Sequence, residues 1–279
     1  MHGRIRRMSE ALHDLIDIGA NLTGSAFKND LPAVIDRALA SGVSHMVVTG
    51  TNLQHSELAI EQCDLNIGIL CSTAGVHPHH AKEWSDRTAH QIHNLLDHAA
   101  VRAIGECGLD YKRNFSEPKD QRRCFEAQLE LAADARLPVF LHQRDAHDDF
   151  LAILNRWRDQ LVGGVAHCFT GTPDEAQAYI DIDLKIGVTG WLCDERRGKS
   201  LQQAVQKIPL QSLMLETDAP YLMPRDLSTD TKQHLQDRRN EPLVLPHVCK
   251  TLAHYMGEAP SEVARQTSLL ARQFFNIED

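Results

Sequence analysis

"LIDIGANLTG" (residues 15–24) reads as a buried β-strand that ends in polar residues and runs into a turn. Seven more short apolar runs follow: "HMVVTG" (45–50), "ILCSTAGV" (69–76), "VRAIGEC" (101–107), "PVFLHQ" (138–143), "GVAHCF" (164–169), "LKIGVTG" (184–190) and "LMLETD" (213–218). A segment of helical period follows each. Continuous Val/Ile/Leu strands covered by helices indicate a parallel sheet with both faces buried. The simplest architecture for eight such units is a (β/α)8 TIM barrel of the α/β class, with an open doubly wound sheet as the alternative.

The intervening segments support this. "SEPKDQRRCFEAQLELAADARL" (116–137) places Phe125, Leu129, Ala132 and Ala133 on one stripe with charges opposite, and Ser116 and Pro118 suit a helix start. "PSEVARQTSLLARQFF" (260–275) puts Val263, Leu270 and Phe274 near one face. The 279 residues, 42% of them hydrophobic, can bury one large core, and barrels of this size are often one domain. We expect a single catalytic domain over 15–279 behind a loose extension over 1–14.

A formal charge of -9 gives no global field to draw in phosphate backbones, so any nucleic-acid contact has to be local. Seven scattered cysteines with no CxxC pair fit a reducing compartment, the cytoplasm. "MHGRIRRMSEALHD" lacks the apolar core of a secretory signal, and no apolar run approaches the ~20 residues that span a membrane.

The strands carry polar residues where burial is costly. Asp17 lies inside the first, Glu106 near the end of the fourth and His142 near the end of the fifth; His167 lies in the sixth and Asp218 closes the eighth. An unpaired buried carboxylate costs several kcal/mol, so strand interiors normally avoid one. Taken singly, a buried His is more often a hydrogen-bonded core residue, and Glu106 or Asp218 could cap a helix. Asp17 could bond backbone amides across the barrel, and Asp110 could be a turn residue. Taken together, these residues can converge on the barrel mouth, where imidazoles and carboxylates from separate strands hold divalent ions.

"GTNLQHS", "AGVHPHH", "IGECGLDYKRNFS", "LHQRDAH", "HCFTGT", "GWLCDERRG", "LETDAPYL" and "RRNEP" resemble the TatD family of metal-dependent deoxyribonucleases, from about residue 15 to the C-terminus. "DIGANLTG" and "FTGT…GWLCDERRG" are most similar to the member that gives the family its name. The resemblance implies a 3'-5' exonuclease acting on single-stranded DNA and RNA. It also implies metal ligation by Glu106, His142, His167 and Asp218. Most members carry an early pair of histidines two residues apart; Gly19 and Asn21 stand in those places. We therefore expect one well-held ion on Glu106, His142 and His167. A second, left with Glu106, Asp218 and Asn21 or Asp17, would be weak, supplied with substrate, or absent. Oxygen-rich remaining ligation favours Mg²⁺, while two imidazoles keep Mn²⁺ and Zn²⁺ compatible.

On this reading Asp218 is the general base. His77 either contacts the scissile phosphate or leaving group, or stabilises the turn before Pro78; His79 and His80 are expected to be exposed loop residues. The expected phosphate contacts are Arg113, Arg144, Arg197 and Arg239, with Lys112, Arg196 and Arg238 beside them. Trp191 and Tyr221 can stack unpaired bases, and Phe115 either joins them or fills the rim. The polar connection 221–244 can wall the mouth, admit a frayed end and exclude a duplex. The expected partner is single-stranded DNA or RNA, with no membrane, and the protein is expected to be a monomer.

Two other classes compete. A small-molecule amidohydrolase, or an aminoacyl-tRNA ester hydrolase, could use the same barrel. The former typically wants the early histidine pair and a carbamylated Lys on the fourth strand, where this chain has Glu106. A non-catalytic binding protein has only the missing histidine pair in its favour.

Overall fold

The computed structural model describes residues 12–235 and 239–278. Its eight parallel strands are β1 (Leu15–Ala20), β2 (Val43–Val48), β3 (Leu70–Ala74), β4 (Val101–Asp110), β5 (Val139–Arg144), β6 (Gly164–Ala166), β7 (Leu184–Val188) and β8 (Leu213–Leu215). They pair in chain order. Just beyond β8 the sheet closes on β1: Ala20 bridges Ala219, Asn21 N donates to Ala219 O at 2.7 Å, and Asp218 N donates to Gly19 O at 2.8 Å. Closure selects the barrel over the open sheet.

The strand lengths decide where the polar residues go. The runs at 164–169 and 213–218 keep only three ladder residues each. Beyond them Cys168 (φ 49°) and Asp218 (φ 53°) enter the left-handed region, so the chain turns out of the sheet. β4 instead runs past Glu106 to Asp110 and stays paired with β5 as far as Arg144. That close approach needs Gly108: at φ 139°, a Cβ there would strike the His142 carbonyl of β5. Glu106 and His142 therefore sit on neighbouring strands in tight register.

The helices α1 (Leu31–Ser41), α2 (Leu53–Leu65), α3 (Asp86–Leu95), α4 (Pro118–Ala135), α5 (His147–Trp157), α6 (Pro173–Asp181), α7 (Lys199–Val205), α8 (Thr229–His234), α9 (Leu245–Met256) and α10 (Pro260–Phe275) follow the strands. α4 buries Phe125, Leu129 and Ala132 as its periodicity requires, together with Gln121 and Gln128, while Ala133 at the stripe's edge is only half-buried. The buried face of α10 differs from the expected one. Val263 is buried as expected, but it is joined by Ala264, Thr267, Ser268, Ala271 and Phe275, while Leu270 and Phe274 are only half-buried. The reason is its partner: Ala271 and Phe275 pack beneath the barrel interior of Ile16, Ile18, Val47, Ala103, Phe140, Val165 and Met214. This plug closes one end and leaves the strands' C-terminal ends open.

Of the extension over 1–14, residues 1–11 lie outside the described residues; Leu12 is buried against the barrel core. The connection 221–244 is not irregular throughout. It contains α8 and a small apolar cluster of Leu227, Leu235 and Val244. Arg238 lies outside the described residues. Among them, no helix is long and apolar enough to cross a membrane.

Candidate active site

The C-terminal strand ends and their loops surround a cleft of about 1080 Å³. On its floor, one oxygen of Glu106 meets three imidazoles from three loops or strands. Oε1 lies 2.9 Å from His142 Nδ1, 3.2 Å from His167 Nε2 and 3.3 Å from His77 Nε2. Burial opposes ionisation of Glu106, but His77, His167 and the hydrogen bond from His142 outweigh it and hold the carboxyl well below its usual range. His142 Nε2 is buried without a hydrogen-bond partner, 3.5 Å from Asp110 Oδ2. An orphaned buried nitrogen is costly unless something else satisfies it.

The potential ligand atoms of His77, Glu106 and His142 lie within 4.8 Å of one another, as do those of His167, Cys168 and Asp218. The two groups join through the contact between Glu106 and His167. An anionic carboxylate with imidazole nitrogens and one unsatisfied nitrogen suits a divalent cation.

Each imidazole has its own support. His167 Nδ1 lies 2.7 Å from Oε2 of fully buried Glu216, whose other oxygen accepts from Cys168 N. Burial favours the neutral ring, but the charges of Glu216 and Glu106 overcome it and raise His167 well above its ordinary value. His142 is raised too, because the carboxylates of Asp110 and Glu106 beside it outweigh its burial. His77 accepts at Nδ1 from His79 N at 3.1 Å, which leaves its proton on Nε2, and burial lowers its pKa to about 4. Asp218 is pushed up to about 7 by burial, with the charges of Glu106 and Glu216 adding to that effect. Its Oδ1 accepts from Asn21 Nδ2 at 2.9 Å.

The profile of the TatD related DNase family matches residues 16–276. The chain belongs to this family. It is 49% identical to the 3'-5' ssDNA/RNA exonucleases TatD of Erwinia billingiae and Citrobacter koseri, in each case over 94% of this chain and 99% of the relative. Among solved structures, it is similar to YJJV, a TatD homologue from Escherichia coli K12. That likeness has a TM-score of 0.84 and 29% identity, and covers 95% of this chain and 99% of the other.

Within this TatD-type barrel, the two positions that lack histidine have other work. A Cβ on Gly19 would stand 2.5 Å from Glu216 Oε2 and 3.4 Å from His167 Nδ1. The room a side chain would take is filled by the carboxylate that holds His167. Asn21 holds Asp218. Asp17 does not reach the cleft; it is fully buried and accepts from Gly19 N, Thr217 N and the Thr217 hydroxyl.

Arg113, Arg144, Arg197, Trp191 and Tyr221 all line the cleft, as does Phe115. Among the described residues, Arg113 and Arg144 have no ion-pair partner; Arg197 stacks 4.4 Å over Trp191 and pairs with Asp194. Arg239 is placed elsewhere. Its guanidinium is committed to Asp30 and Glu241 and lies 4.6 Å over Phe27, so it is outside the cleft and holds a loop. Phe115 and Tyr221 are 57% and 61% exposed, so neither fills a rim.

His79 also departs from expectation. Rather than an exposed loop residue, it is half-buried, bonded to Asp110 Oδ2 at 2.7 Å, with its ring 4.7 Å from that of Phe115. Asp110 thus serves His79 and His142 at once. Glu216 was the residue least visible in the sequence: its signal was a second acid in "LETD", two positions before Asp218.

Proposed function

We propose that this protein is a metal-dependent 3'-5' exonuclease that hydrolyses phosphodiester bonds of single-stranded DNA and RNA. The observation that carries the reading is the shared oxygen of Glu106 amid three imidazoles, with His142 Nε2 orphaned beside it. Glu106, His142 and His167, with His77 adjacent and Asp218 on the far side, would hold a divalent ion that supplies Lewis acidity toward the phosphate. Mg²⁺ is the proposed ion, and the two imidazoles of His142 and His167 keep Mn²⁺ and Zn²⁺ compatible.

The chain's own groups account for the rest. Asp218 presents its second oxygen to the cleft and takes a proton from the attacking water, while Asn21 fixes the first. His77 carries its proton on Nε2 and can donate a hydrogen bond to the leaving oxygen. Arg113 and Arg144 meet the strand's phosphates, and Phe115, Trp191 and Tyr221 offer stacking surfaces that suit unpaired bases. The amidohydrolase alternative gains nothing here: Lys112 lies past the end of β4, exposed and paired with Asp145 at 3.2 Å. We propose that the enzyme acts as a cytoplasmic monomer.

A time course with a 5'-labelled single-stranded oligonucleotide, Mg²⁺ and EDTA controls tests this. Stepwise shortening that EDTA abolishes is expected. Efficient cutting of a closed single-stranded circle would overturn the exonuclease reading.

A further inference from the structure

We propose that Cys193, Asp226 and His247 form a second cation site, separate from the cleft floor, that takes Zn²⁺ and ties together two loops of the cleft wall. Cys193 ends the 3-10 turn Gly190–Cys193 after β7, Asp226 lies in the connection after β8, and His247 sits in the first turn of α9. Residues from three elements, far apart in the chain, bring potential ligand atoms within 4.8 Å of one another.

The arrangement has the asymmetry of a site loaded from solvent. Cys193 is buried, whereas the side chains of Asp226 and His247 are 49% and 29% exposed. His247 Nε2 and Asp226 Oδ1 already face each other at 2.7 Å. Behind them the Cys193 thiol donates to Thr251 Oγ1 at 3.5 Å, and that hydroxyl donates to the His247 carbonyl at 3.0 Å. This second layer fixes the sulfur and the start of α9 relative to each other, as outer partners do in metal sites. Burial, with the Asp226 charge adding to it, pushes the thiol up to about 12, so no free thiolate nucleophile stands here. A cation reverses that preference, because a coordinated thiol is deprotonated.

The donor set of one sulfur, one imidazole nitrogen and one carboxylate oxygen selects a borderline cation such as Zn²⁺ over the hard Mg²⁺. Cys193 is two residues beyond Trp191, and Asp226 follows Tyr221 and Leu222, all three of which line the cleft. The two loops already touch: a Cβ on Gly190 would strike the Leu222 carbonyl and lie 2.9 Å from Pro224 Cγ. A cation spanning Cys193 and Asp226 would hold the loops together, and its effect would fall on substrate affinity more than on turnover.

The test is a Co²⁺ titration of the metal-depleted, full-length protein, reading the near-ultraviolet thiolate-to-cobalt charge-transfer band. The band is expected in wild type and in Cys168→Ser, where the thiol that lines the cleft is gone, and Zn²⁺ should displace it. Cys193→Ser should abolish the band. Asp226→Ala and His247→Ala, partly exposed positions whose folding is checked by thermal unfolding, should weaken Co²⁺ binding by tenfold or more. No band in wild type at saturating Co²⁺ would overturn the proposal. So would a band lost in Cys168→Ser, or binding unchanged in both Asp226→Ala and His247→Ala. None of these outcomes depends on nuclease activity.

Discussion

Glu216 Oε2 sits 2.7 Å from His167 Nδ1, in the space that any side chain on residue 19 would need. The absent early histidine and the buried acid are thus two sides of one packing choice. Gly19→Ala forces Glu216 away from His167, and Glu216→Gln weakens the charge that orients the ring. Each should lower metal affinity or activity by about 10–100-fold, as loss of an outer partner does. Calorimetric metal titration with a nuclease assay checks this. A Gly19→Ala protein with wild-type affinity would show that the pairing of Glu216 with His167 does not matter.

Asp218 and Glu106 should separate by kinetics. Asp218→Asn is expected to reduce kcat by about 10²–10⁴-fold, the usual worth of a general base, with oligonucleotide binding little changed. Glu106→Gln should impair metal binding first, and raising the metal concentration should recover part of its activity. Steady-state kinetics across metal concentrations would distinguish the two.

Metal uptake should release protons. In the metal-free site His142 and His167 are raised, and Asp218 stands at about 7, so below neutrality these groups hold protons that a cation must displace. Apparent affinity therefore climbs as pH rises through about 7. Calorimetry at fixed pH in two buffers of different ionisation enthalpy reports the protons released; identical heats in both would contradict it.

Asp17 makes stability depend on pH. Burial raises its carboxyl from 3.8 to about 7 despite hydrogen bonds from Thr217 and Gly19. The folded state then binds more protons than the unfolded one between those values. Its contribution is complete below the unfolded value and is lost as pH rises through about 7. Asp17→Asn, which turns an amide toward donors, should cost about 1–3 kcal/mol at low pH. Urea unfolding should show that deficit narrowing toward neutrality.

The arginines should divide into two groups. Arg113→Ala and Arg144→Ala are expected to raise KM and to reduce the salt slope of single-strand binding by about 0.7 for each phosphate no longer neutralised. Arg239→Ala should leave that slope alone and destabilise the fold by about 1–3 kcal/mol, because buried Glu241 is left with one of its two arginines. Fluorescence anisotropy over a salt series, beside thermal unfolding, checks both.

The barrel was legible because each strand is an apolar run and each helix an amphipathic one, and such patterns are written locally. Glu106, His142, His167 and Asp218 stood out for a related reason: ionisable groups in apolar strands violate a local rule. Whether a residue faces a cleft, a core or a neighbouring charge depends on partners distant in the chain, and no local pattern encodes it. Arg239 next to Arg238 looked like part of a basic funnel, yet Asp30 and Glu241 claim it. His79 looked like loop surface, but the fold sets Asp110 beside it, and α10 turned its buried face to suit the barrel it plugs. The periodicities and the polar interruptions were the chain's own statement. Closure of β8 on β1 decided the rest, bringing Glu216 into the space left open at Gly19 and Asn21 against Asp218, because only the folded state sets the distances on which charge and packing act.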